Sequence, residues 1–146
     1  MSRDKCSIDI TIESQKNDIQ AENLARSHIL RIIGADQNPS EFYEFSASDD
    51  ILKPLVSHFK GLRIPQTLSV YEGLITAIIG QQISTSVASM LRSLIIELYG
   101  DATNIYGQTF YSFPTPQSIA EIGVEELVKN KFSRRKAEYI HSISEE

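Results

Sequence analysis

Residues 70–79 constrain the fold more than any other stretch of this chain. Val70, Leu74 and Ile78 form one row at helical spacing, and Tyr71, Ile75 and Ile79 form another. Together the rows cover most of a helix circumference, and a helix apolar nearly all round belongs inside a packed protein. Ser69 is a good N-cap and Gly80 a natural stop. A polar corner follows, Gln81-Gln82-Ile83-Ser84-Thr85-Ser86. A second long helix is predicted from about Ser84 to Tyr99, with Val87, Met90, Leu91, Leu94, Ile95 and Leu98 inward and Gly100 at its end. The core is therefore expected around two helices that meet at a short corner.

The flanking segments extend the helical pattern. Asp18 is placed to cap a helix over Ile19–Ile33, with Leu24, Ile29, Ile32 and Ile33 in an apolar stripe and Gly34 at its C′ position. Short helices are predicted near Ser40–Ser46 and after Ser48-Asp49-Asp50, the second ending at Gly61. Phe42, Tyr43 and Phe45 suit packing. Thr115-Pro116 is a specific helix start. From it one short helix is expected to Ile122, another from Val124 to Asn130, and a last one from Ser133 with no stop before Glu146. Residues 101–114 read as a loop, with Tyr106, Phe110, Tyr111 and Phe113 as anchors on the helices, the alternative being the lining of an aromatic pocket. One strand is predicted, over 7–13, where Ile8, Ile10 and Ile12 alternate with polar residues.

A lone strand leaves its backbone groups unpaired, and Glu145 and Glu146 oppose the dipole of the last helix. The expectation is a sequence cut from a longer protein at both ends. The alternative is a natural terminus and a strand paired across a dimer.

Composition excludes several classes. The 146 residues are 41% hydrophobic and 23% charged, ordinary values for a folded domain. No apolar run is long enough to span a membrane, and Met1–Ile10 has no apolar segment of the secretory type. A single cysteine, Cys6, rules out an internal disulfide framework, and His28, His58 and His141 lack ligand spacing, so no metal or cofactor is expected. An intracellular setting, cytoplasmic or nuclear, is expected. A net charge of −5 argues against indiscriminate nucleic-acid binding through bulk charge. It leaves room for a local patch, and Lys129, Lys131, Arg134, Arg135 and Lys136 form one with no acidic residue between.

Leu74-Ile75-Thr76-Ala77-Ile78-Ile79-Gly80-Gln81-Gln82-Ile83-Ser84 closely resembles the signature of AlkA-type 3-methyladenine DNA glycosylases, in the helix-hairpin-helix glycosylase superfamily. Three further pieces stand in the family's order. They are Phe59-Lys60-Gly61-Leu62-Arg63-Ile64-Pro65, then Leu98-Tyr99-Gly100 with Phe113-Pro114-Thr115-Pro116-Gln117, and the tail Ser133-Arg134-Arg135-Lys136-Ala137-Glu138. The resemblance covers about residues 49–146; more weakly, residues 7–33 resemble the end of the family's N-terminal sheet domain.

The resemblance implies a mainly α fold, a partial helical bundle of the helix-hairpin-helix glycosylase type with a small α+β remnant at the N-terminus. It implies two parts, 1–48 closing an N-terminal α+β domain and 49–146 opening the helical glycosylase core. It further implies a base-excision enzyme, monomeric when intact, that binds double-stranded DNA and flips out an alkylated base. A stacked base is out of reach until extruded, and something must fill the space it leaves. Gln82 takes the family's wedge position, and its amide can both donate to and accept from a widowed base. Gln81 would position it. Ser84 and Thr85 begin a helix and would offer hydroxyl and N–H groups to a phosphate, although Ser84 could equally be a plain cap. Arg134 and Lys136 complete the DNA-binding set, the bland reading being a solvated helix start.

No Gly-x-Gly of the family's hairpin occurs, and none of Asp4, Asp9, Asp18, Asp36, Asp49, Asp50 or Asp101 takes the place of the catalytic Asp. No catalytic residue is assigned, and the chain alone is expected to be inactive. Alternatives are a non-catalytic DNA-binding or interaction module derived from the same fold, and a helical interaction domain with chance resemblance.

Overall fold

A computed structural model describes residues 8–12 and 18–146. The chain divides into two compact units, Met1–Leu68 and Ser69–Glu146. The division falls downstream of the 48/49 boundary drawn from the family resemblance.

The first unit holds α1 (Ile19–Ile32), α2 (Ser40–Ser46) and α3 (Leu52–His58). Asp18 caps α1, its carboxylate accepting from the Gln20 and Ala21 amides at 2.9 and 3.2 Å. Gly34 follows with φ +67°, a left-handed position where a Cβ would stand 2.6 Å from the Ile64 carbonyl oxygen. Asp49 accepts from the Ile51 and Leu52 amides, both at 2.8 Å, and starts α3. The Tyr43 hydroxyl accepts from the Gly61 amide at 3.1 Å. None of the residues of α1 is fully buried; of its expected stripe, Ile29 and Ile33 are half-buried and Leu24 and Ile32 are exposed. Phe42 and Phe45 are likewise exposed rather than packed.

The strand expected over 7–13 is not present in residues 8–12, and Ile8 is 64% exposed. Residues 7 and 13 lie outside the described residues. Alternation marks a strand only where another strand satisfies its backbone, and no described residue pairs with this segment.

Among the described residues, all ten buried apolar side chains lie in the second unit. It comprises α4 (Val70–Gly80), α5 (Thr85–Tyr99), β1 (Ala102–Ile105), β2 (Gln108–Tyr111), α6 (Pro116–Lys129) and α7 (Arg134–Ser144). Ile75, Ile79, Ile95, Ile119, Leu127 and Ile140 meet in the core without solvent exposure to speak of. Helix α4 turns out two-faced. Its Tyr71/Ile75/Ile79 row faces the core and Ile78 of the other row joins it, whereas Val70 is 72% and Leu74 46% exposed. Helix α5 buries Leu91 and Ile95, and Val87, Met90 and Leu98 are exposed, not inward as expected. An apolar count predicts how much of a helix can be covered, not what is there to cover it.

Polar bonds tie the helices together at chosen points. Arg92 donates to Glu72 at 2.6 Å, joining α5 to a nearly buried carboxylate on α4. Phe113 lies edge-on to Tyr71 with ring centres 6.1 Å apart. The Tyr71 and Ser144 hydroxyls share a bond of 2.7 Å between α4 and α7. Asn130 donates to the Tyr99 hydroxyl at 2.8 Å and to the Glu126 carbonyl, closing α6.

Residues 101–114 are not a loop. They contain an antiparallel hairpin, with Ala102 opposite Tyr111 and Ile105 opposite Gln108. Tyr106 and Gly107 have φ of +50° and +81°, the mirror-image turn that matches strand twist. All eight strand residues are exposed, and Tyr106 is 89% exposed rather than an anchor. With neither face buried, nothing forces an alternating pattern. The expected break in α6 is real: Gly123 has φ +71° and ψ 173°. Helix α7 spans Arg134–Ser144, and the Glu145 amide still donates to the His141 carbonyl at 3.2 Å.

Candidate nucleic-acid interface

The corner between α4 and α5 is built from three local choices. Gln81 leaves α4 in extended geometry, with φ −62° and ψ 129°, its amide still donating to the Ile78 carbonyl. Gln82 then takes φ +56°, in the left-handed region that a side chain normally avoids. Ser84 caps α5 by accepting from the Val87 amide at 3.4 Å. Ile83, packed against the core, pins the corner from beneath. Gln81, Gln82, Ser84 and Thr85 are all exposed. Left-handed backbone at a non-glycine residue is maintained only where the surroundings over-determine it, and such residues gather at functional sites.

Helix α7 delivers its first turns to the same corner. Gln81, Gln82, Ser133, Arg135, Lys136 and Tyr139 line a cleft of about 130 Å³. Of the expected DNA-binding residues, this cleft unites Gln81, Gln82 and Lys136, while Ser84, Thr85 and Arg134 lie outside its lining. Lys136 is a brace: its Nζ donates to the Ile79 carbonyl at 2.7 Å. A cation there satisfies an orphan carbonyl and faces the negative end of the α4 dipole. Arg134 is engaged with Glu125 through two bonds of 2.8 and 3.0 Å. That bidentate pair holds the Glu125 carboxyl below its ordinary range and the guanidinium above its own. Lys129 pairs with Glu126 at 3.4 Å.

The missed member is Arg135, with Tyr139. The Arg135 Nε donates to the Tyr139 hydroxyl at 3.0 Å, and the guanidinium lies 5.5 Å from the ring centre. The bond to Tyr139 raises the guanidinium's pKa. The signal was available, since residues four apart share a helix face.

Among the described residues, no helix is long and apolar enough to cross a membrane, and no group of three His, Cys, Asp or Glu side chains is placed to hold a metal.

Residues 75–146 match the HhH-GPD superfamily of base excision DNA repair proteins. The chain is 31% identical over 127 residues to a DNA-3-methyladenine glycosylase of Bacillus subtilis, across 84% of this chain and 42% of that protein. The structure superposes on a 3-methyladenine DNA-glycosylase from Archaeoglobus fulgidus with a TM-score of 0.72 and 38% identity, covering 90% of this chain and 45% of that one. It shares its fold with an 8-oxoguanine glycosylase/lyase of Clostridium acetobutylicum, at TM-score 0.67 and 19% identity over 85% of this chain and 42% of that one. The chain thus spans less than half the length of each of these relatives. Its helical unit, its Gly80-Gln81-Gln82 corner and these likenesses agree: the chain belongs to the helix-hairpin-helix glycosylase superfamily, on the 3-methyladenine (AlkA-type) side.

Proposed function

We propose that this chain is the DNA-engaging part of a glycosylase that excises alkylated bases of the 3-methyladenine type from double-stranded DNA by hydrolysing the N-glycosidic bond. Residues 1–48 then close an N-terminal α+β domain, and 49–146 open the helical core of an intracellular, monomeric enzyme. The observation that carries the reading is Gln82, exposed at φ +56° on a corner braced from both sides, inside the segment that matches the superfamily.

The corner suits the work of a wedge. Extruding a base costs a few kcal/mol and leaves a gap in the stack. A flat amide on a rigid elbow fills that gap and offers a donor and an acceptor to the opposite base. Ser84, Thr85, Arg134 and Lys136 are proposed as further DNA contacts; Arg134 must exchange Glu125 for a phosphate, and Lys136 acts mainly by holding α7 against the corner. In the family, a catalytic Asp stabilises the developing oxocarbenium ion and orients water, and a cationic base leaves readily. No Asp of this chain takes that place, so the purified 146 residues are expected to release no 3-methyladenine from alkylated duplex DNA, a result readable by chromatography of the free base.

Gln82→Ala is expected to reduce the preference for an abasic over an intact duplex about tenfold, the size of one or two hydrogen bonds of about 1 kcal/mol. Gln82→Gly should lose the same preference while raising stability by about 1 kcal/mol, because glycine accepts a positive φ without strain. A wild-type preference unchanged in both variants would sink the wedge assignment.

A further inference from the structure

We propose that Arg135, held against Tyr139 beside Gln82, binds a backbone phosphate of the DNA strand that Gln82 enters, with Tyr139 as its positioning residue. This rests on the nucleic-acid reading above and adds to it the cation that grips the strand. The partners of each basic side chain single out Arg135. Lys129 and Arg134 face carboxylates, and Lys136 is committed to the Ile79 carbonyl. Arg135 has no carboxylate within ion-pair distance among the described residues, and Lys131 lies outside the cleft. Of the two cations that line the Gln82 cleft, Lys136 spends its ammonium on the Ile79 carbonyl, and Arg135 keeps its terminal guanidinium nitrogens for a ligand.

Its geometry is also prepared. The bond to Tyr139 occupies Nε and holds the guanidinium 5.5 Å from the ring centre, so two terminal nitrogens stay available as a fork. A guanidinium fork suits two phosphate oxygens, and the bond to Tyr139 removes part of the rotamer freedom that binding would otherwise have to freeze. A phosphate contact carries no base information. It sets the register of the strand, which a wedge requires if it is to enter at one nucleotide step.

The test is binding of the full chain to a duplex with a tetrahydrofuran abasic analogue, by fluorescence anisotropy across a salt series. Arg135→Ala is expected to weaken binding several-fold and lower the slope of log affinity against log salt by about one. Arg135→Lys should restore the slope but only part of the affinity, because ammonium lacks the fork. Tyr139→Phe should keep the slope and weaken binding less than Arg135→Ala. Lys129→Ala, which removes the same charge from the same run, should leave the slope unchanged. Wild-type binding with a slope indifferent to Arg135→Ala, or equally reduced by Lys129→Ala, overturns the proposal and leaves the wedge reading standing. Absence of salt-sensitive wild-type binding overturns the nucleic-acid reading itself. Arg135 is exposed, so an unchanged unfolding midpoint accompanies each expected result.

Discussion

Replacing Ile95 by alanine is expected to lower the unfolding free energy by about 2–5 kcal/mol. Ile95 lies on α5 at 0% exposure, in the cluster with Ile75, Ile79, Ile119, Leu127 and Ile140. That cluster draws on four helices, so the space vacated by three carbons borders side chains that cannot all move in together. The loss combines the transfer of apolar surface and the unfilled cavity. For a domain whose total stability is of order 5–15 kcal/mol, this is a large share. Met90→Ala is the matched comparison: it removes an apolar side chain from the same helix, but one 49% exposed. Urea unfolding followed by circular dichroism should show a much lower midpoint for the first variant and a small change for the second. Equal losses would mean that the core does not lie where these burials place it.

Gly100→Ala is expected to cost about 3 kcal/mol, the upper range for forcing an atom into filled space. The reason is not conformational freedom, because Gly100 has φ −81°. A Cβ there would strike the Ser112 carbonyl oxygen and stand 2.6 Å from that of Ile96. Both are backbone atoms. Ser112 is fixed by its amide, which donates to the Asp101 carbonyl at 3.0 Å, and by its hydroxyl, which accepts from the Asp101 amide at 3.2 Å. The neighbours cannot yield without opening the base of the hairpin. Gly80→Ala is the control: no atom lies within 4 Å of its added Cβ, and α4 continues through it. That change should be neutral or stabilise by up to about 1 kcal/mol. Thermal unfolding of both variants decides the matter, and similar midpoints for the two would contradict the steric account.

Gly100 also shows where sequence reasoning stops. Glycine after a helical run reads as a left-handed stop, and α5 does end there. The physical cause is a backbone returning from twelve residues further on. The hairpin that brings it back has the sequence of a loop, because Tyr is an unusual first residue for a mirror-image turn and the strands bury no face. Gly107 at the second turn position was the remaining signal.

The sequence by itself determined the local events. Asp18, Ser69, Ser84, Thr115 and Ser133 each cap the helix expected of them, because a hydroxyl or carboxylate reaches an amide two or three residues on whatever else the chain does. It also determined the corner and its family, since a short run of residue types specifies both. Only the tertiary structure decided which apolar rows are covered, which of five neighbouring cations are already committed, and that Arg135 shares a cleft with Gln82. Those facts depend on partners distant along the chain, Ile79 for Lys136 and Glu125 for Arg134. Charge and hydrophobicity belong to a residue; burial and pairing belong to the surroundings that folding assembles around it.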